Sequence, residues 1–232
     1  RLYRGLALRA CFSGVLRGGK TVARSLDLSV RPTILTVPGL GGSGPSHWQT
    51  LWERHRPDVA RVELGMWDRP HRNAWVTKLD QAVAAARAPV ILVAHSLGCI
   101  AVAWWASLSP QPYGWPVAGA LLVAPADVDF PERLPVNLLD FAPTPLGHFP
   151  FPTTLVASTN DPFMAFARAK ELANCWGSTL VNLRDSGHIN VDSGFGRWPH
   201  GEALLDDLLN SVNARLSAVS SFNDEQPRHA RG

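Results

Sequence analysis

Ser96 stands in the run Ala94-His95-Ser96-Leu97-Gly98, after an apolar β-branched stretch (90–94) and before a helix-forming one (99–108). A serine at a sharp strand-to-helix turn projects its hydroxyl above the sheet edge, and the turn requires small residues two positions away on either side. Ala94 and Gly98 meet that requirement. The chemistry this implies is nucleophilic attack on a carbonyl, with the Leu97 amide at the helix start facing the oxyanion. The plainer alternative is a helix-capping serine in a small-residue turn.

A serine of this kind needs a base, and a strand–turn–helix nucleophile is followed in chain order by an acid and then a histidine. Three histidines lie far enough downstream: His188, His200 and His229. His229 sits in the tail, and His200 follows Pro199 in a stretch read as loop. His188 lies in Asp185-Ser186-Gly187-His188-Ile189-Asn190, just past the last expected strand, and is the chosen base. The acid must leave its strand at the same edge and fix the imidazole tautomer. Asp161, in Ser158-Thr159-Asn160-Asp161-Pro162, is preferred; Asp127 one strand earlier is the reserve and Asp185 a distant third. Asp161 before Pro162 also reads as an N-cap followed by a first-turn proline. His95 adjoins the serine but points elsewhere and is expected to pack beneath the turn. His47, His55, His71 and His148 lack metal-ligand spacing, so no metal or other cofactor is expected.

The elements that must position these groups alternate in type from about residue 32. Apolar runs at 33–37, 59–63, 90–94, 117–124, 154–158 and 179–183 lack polar alternation, as strands buried on both faces do. Helical patterns lie between them, one capped by Ser46 and another by Asn73, and a last one covers about 202–216. The expectation is a three-layer α/β/α sandwich with a parallel sheet of about six strands. Residues 125–152 hold seven prolines, with Phe130, Phe141, Phe149 and Phe151 among them. They read as an extended covering loop, not a helical lid domain.

Pro38-Gly39-Leu40-Gly41-Gly42-Ser43-Gly44 follows the first strand. Gly39, Gly41 and Gly44 fit a dinucleotide fingerprint, with Glu63 about 20 residues on. Pro45 disfavours helix at Gly44, however, where the fingerprint needs its third glycine inside a helix. A hydrolase also needs a glycine turn here, because its second oxyanion amide comes from this loop. Leu40 or Gly41 would supply it. Trp198 and His47 are candidate substrate contacts, as is the 125–152 loop, although aromatics in loops more often pack than recognise.

Together these segments resemble the family of retinoblastoma-binding protein 9 and its bacterial relatives, small serine hydrolases of the α/β-hydrolase superfamily. The likeness covers about residues 32–215. It rests on the glycine loop extended through Pro45-Ser46-His47-Trp48-Gln49, on Ala94 to Cys99, on Ser158 to Pro162, and on Gly187-His188-Ile189-Asn190 with Ser193-Gly194 and Trp198-Pro199. The resemblance implies a compact fold without a lid domain, with nucleophile, acid and base at Ser96, Asp161 and His188. It also implies carboxylesterase-like or aminopeptidase-like acyl hydrolysis. The expected function is cleavage of a small ester or amide through an acyl-enzyme on Ser96. A protein-binding module on the same fold is the alternative from another class; a dinucleotide-binding protein is the remoter one.

The chain has 232 residues and a formal charge of +3, but residues 1–31 hold seven basic residues against Asp27 alone. The rest is slightly acidic, which gives no support to nucleic-acid binding. An Arg-rich, acid-poor start has the composition of a transit segment, and a start not native to the chain is the expectation preferred over it. Residues 1–30 are expected to be a poorly ordered extension, 31–218 the hydrolase domain and 219–232 a disordered tail. Cys11, Cys99 and Cys175 form no disulfide framework, and a cytoplasmic protein not bound to membranes is the default expectation.

Overall fold

The structure, a computed structural model, describes residues 32–224 apart from 87–88, 109–115, 131, 133 and 135–137. Six strands form one sheet: β1 (Thr33–Val37), β2 (Val59–Arg61), β3 (Val90–His95), β4 (Val117–Val123), β5 (Thr153–Ala157) and β6 (Thr179–Asn182). Their spatial order is β2-β1-β3-β4-β5-β6, and every neighbouring pair is parallel. The expected α/β/α sandwich is therefore the observed architecture.

Strand alternation explains the layers. Ile34, Ile91, Val93, Leu121 and Val123 point to one face and pack on α1 (Trp48–His55) and α5 (Pro199–Asp224) through Trp48, Trp52, Leu205, Leu208 and Val212. Leu35, Val90, Leu92, Ala94 and Leu122 point to the other. There they meet α2 (Arg72–Ala85), α3 (Leu97–Leu108) and α4 (Phe166–Trp176). All of 90–94 is inaccessible to solvent. Each large aliphatic buried there contributes about 1.5–3 kcal/mol, so the strand that leads into Ser96 is firmly anchored.

Several boundaries differ from the sequence expectation. The N-cap of α1 is His47 in place of Ser46, and that of α2 is His71 in place of Asn73. Asp161 caps no helix: α4 begins only at Phe166. The Asp161 carboxylate instead accepts the Phe163 amide at 2.9 Å, closing a turn around Pro162. Helix α5 runs to Asp224, so 219–224 continue the domain's last helix instead of starting a disordered tail. No glycine or proline interrupts the chain between Gly201 and Pro227, and nothing stops the helix earlier. The extension expected at 1–30, with Cys11 and His229, lies outside the described residues.

The described parts of 125–152 form an irregular cover that includes a 3-10 turn, Leu139–Phe141. Its aromatics pack it down. Phe141 is fully buried with its ring 5.6 Å from Trp75, and Phe149 stacks on Phe151 at 5.5 Å. Two indoles hold its backbone, Trp104 donating to the Phe141 carbonyl and Trp176 to the Pro145 carbonyl, each at 2.7 Å. Among the described residues no helix is long and apolar enough to cross a membrane.

Candidate active site

Ser96 lies between β3 and α3 at φ 54°, a left-handed conformation that a non-glycine residue holds only where its surroundings enforce it. Two glycines allow that enforcement. A Cβ on Gly98 would lie 2.2 Å from the Val37 carbonyl oxygen, and one on Gly39 would lie 2.8 Å from the Ser96 Cβ. The start of α3 and the loop after β1 thus close to backbone distance around the serine. The Ser96 amide donates to the Val123 carbonyl at 3.0 Å, which fixes the turn to β4.

The His188 Nε2 lies 2.9 Å from the Ser96 hydroxyl, and its Nδ1 lies 2.9 and 3.0 Å from the two Asp161 carboxylate oxygens. His188 and Asp161 are both buried. A carboxylate on Nδ1 holds the proton there, leaving Nε2 as an acceptor aimed at the hydroxyl. The arrangement can draw a proton from Ser96 and return it to a leaving group. The reserve acids stand elsewhere. Asp127 faces Arg168, with Nε to Oδ1 at 3.8 Å, and Asp185 accepts from the Thr159 hydroxyl at 2.6 Å.

The base is held by its backbone from several sides. The His95 Nε2–H donates to the His188 carbonyl at 3.0 Å, so His95 does lie beneath the turn, neutral, its pKa pushed well down by burial and by its histidine neighbours. The His188 amide donates to the Ser193 hydroxyl at 3.0 Å. Trp48 reaches across from α1 to donate to the Ile189 carbonyl at 2.9 Å. Asn160, next to the acid, accepts the Gly187 amide at 2.7 Å, and Ser158 accepts the Ser186 amide at 3.0 Å. The acid loop and the base loop are therefore stitched together. Sequence reasoning assigned no role to Asn160, Ser158 or Ser193. The available signal was polar side chains flanking Asp161 and His188 in short loops.

A cavity of about 200 Å³ opens over Ser96. Its apolar lining is Leu40, Leu97, Ala126, Leu134, Leu138 and Phe163. His47, His95, His188 and Asn190 also line the cavity. Covering-loop residues do reach it, but as aliphatics; Phe141, Phe149 and Phe151 pack elsewhere and Phe130 is exposed. Trp198 does not line the cavity, so the substrate contact expected of it is withdrawn: its indole stacks 6.0 Å from Trp52 and meets Trp48 edge-on at 5.1 Å, in the layer under α5. His200 is exposed in the first turn of α5.

The glycine loop divides its amides. The Gly41 amide donates to the Trp67 carbonyl at 2.9 Å, so of the two amides expected to supply the second oxyanion donor, Leu40 or Gly41, that of Gly41 is already committed. Among the described residues no hydrogen-bond acceptor faces the Leu40 or Leu97 amide. Gly44 lies outside any helix, four residues ahead of α1, so the dinucleotide fingerprint lacks its third glycine's setting.

The family model described as serine hydrolase matches residues 34–207. A YdeN-like hydrolase from Pectobacterium atrosepticum is 34% identical, with a TM-score of 0.69 over 80% of this chain and 94% of that one. The ydeN gene product of B. subtilis is 21% identical, with a TM-score of 0.62 over 78% of this chain and 100% of that one. The esterase domain of a Rhodothermus marinus protein shares the fold at 15% identity, with a TM-score of 0.58 over 80% and 90% of the two chains. No curated protein matches the chain. With its serine at a strand-to-helix turn and its family model spanning most of the sheet, this chain belongs to the serine hydrolase family.

Proposed function

We propose that the protein hydrolyses small, uncharged esters or amides through an acyl-enzyme on Ser96, as a carboxylesterase-like member of its family near retinoblastoma-binding protein 9. The observation that carries this reading is the hydrogen-bonded series Ser96–His188–Asp161 at the floor of a largely apolar cavity. His188 takes the serine proton as Ser96 attacks the carbonyl carbon. The amides of Leu97 and Leu40 receive the oxyanion, and His188 protonates the departing alcohol or amine. Water, deprotonated by His188, then releases the acid and restores Ser96. Asp161 stays ionised throughout and holds the imidazolium that forms.

The cavity's size and lining support this substrate class. At about 200 Å³ it is below the 300–1,000 Å³ usual for drug-sized ligands. Apart from the reacting groups its lining carries no formal charge, which favours a short apolar acyl chain. Ser96→Ala should lower the turnover of a nitrophenyl butyrate by on the order of 10⁶-fold. Hydrolysis that survives the substitution would refute the reading.

A further inference from the structure

His47 plays no part in the acyl transfer just described, yet it is 94% buried and lines the same cavity as Ser96. Its backbone is extended, φ −72° and ψ 142°, and its ring caps α1: Nδ1 accepts the Gln49 amide at 3.2 Å. A neutral imidazole has one donor and one acceptor nitrogen, so an Nδ1 that accepts puts the hydrogen on Nε2. Burial first, and then the nearby Arg61 and His188, lower its pKa to about 4, so the ring stays neutral at physiological pH. Among the described residues Nε2 meets no hydrogen-bond partner. Nε2 is not among the unpartnered atoms shut off from solvent, so this donor stays open to whatever occupies the cavity that His47 lines.

The place of this donor is also defined. The rings Phe163, His188, His95 and His47 form a row with successive centroids 4.7, 4.9 and 4.8 Å apart. Phe163 begins this series of contacts and His47 ends it, and both line the cavity, as does Asn190. Hydrocarbon belongs against the first end, and an acceptor oxygen against the second. His188 must face the departing oxygen, and His47 stands two ring contacts from His188, 4.9 and 4.8 Å, which brings it within reach of that oxygen's substituent.

We infer that His47 is a specificity-determining hydrogen-bond donor that recognises an uncharged acceptor oxygen, of ether or hydroxyl type, on the leaving-group side of the substrate. This inference rests on the Ser96 hydrolase reading. The preferred substrates are then short acyl esters of oxygenated alcohols, not of plain alkanols.

The test compares pentyl butyrate with its near-isostere 2-ethoxyethyl butyrate in wild type and in His47→Asn. Asparagine keeps an N-cap oxygen for α1 while removing the ring donor. Both esters are measured on one preparation, so the ratio of their kcat/KM values is independent of how much enzyme is folded. Wild type should prefer the ethoxyethyl ester by roughly 3- to 10-fold, the worth of one net hydrogen bond, and His47→Asn should bring the ratio close to one. An equal ratio in wild type, or a preference unchanged in His47→Asn, overturns the inference while leaving the Ser96 reading intact. Ester hydrolysis unaffected by Ser96→Ala would overturn the reading beneath it as well.

Discussion

At the scale of single residues the site depends on which nitrogen of His188 carries the proton. The two Asp161 oxygens sit within 3.0 Å of Nδ1 and leave Nε2 to accept from Ser96. Asp161→Asn keeps the shape but can present an amide N–H where an acceptor is needed, turning the imidazole to the wrong tautomer. Turnover should fall by about 10⁴-fold with little change in stability, read from ester hydrolysis alongside a thermal melt. The convergence of Ser96, Asp161 and His188 was legible in the sequence because each lies in the turn or loop after a recognisable strand and because chain order limits the choices. Gly41 and Trp198 were misread for a different reason. Whether an amide is spent on a neighbouring carbonyl, or an indole on another indole, depends on the Trp67 carbonyl and on Trp52, which lie far away in sequence.

Elements position these groups by backbone contact and by loop-to-loop hydrogen bonds. The approach of α3 to β1 leaves no room for a methyl group at Gly98, since both the Val37 and Pro38 carbonyls would lie within 2.7 Å of it. Gly98→Ala should cost about 1–3 kcal/mol in urea unfolding and displace the Ser96 turn, lowering activity as well. Asn160→Ala removes the acceptor that ties the base loop to the acid loop. It should reduce kcat on the order of 10²-fold with KM nearly unchanged, because misplacing His188 affects the chemical step more than binding. Strand positions were readable from uninterrupted apolar runs. Helix starts were not: His47 took the cap expected of Ser46, since either residue offers an acceptor and only the loop's path from Gly44 decides between them. The Asp161-Pro162 signal marks a turn and no helix start: the carboxylate accepts the Phe163 amide while facing His188, and α4 begins only at Phe166.

Over the whole molecule, the connections run outward from β1 to β2 in one direction and from β3 through β4 and β5 to β6 in the other. Chain direction therefore switches between β1 and β3, and a crevice opens at their carboxyl ends, the position where open α/β sheets bind ligands. Leu40 follows β1 and Ser96 follows β3, one on each side of it. The alternation of strands and helices made the sandwich legible, whereas strand order is set by crossover packing that no single run of residues records. The buried histidines tie the stability of this molecule to pH. His47 titrates near 4 in the folded chain against about 6.5 when unfolded, so above pH 7 it contributes nothing to the difference. As pH falls from about 6.5 to 4 the unfolded chain takes up a proton that the folded one refuses. Stability should drop by on the order of 3 kcal/mol from His47 alone, with His95 adding in the same direction. Urea midpoints at pH 7.5 and 5 measure this, and His47→Asn should flatten the difference.

The most direct measurement of the central claim is covalent labelling by a fluorophosphonate probe, with the modified peptide identified by mass spectrometry. The geometry at the end of β3 predicts a single adduct on the Ser96 hydroxyl, absent from Ser96→Ala and slowed by several orders of magnitude in His188→Ala. An adduct on another residue, or equal labelling of the wild type and Ser96→Ala, would contradict it.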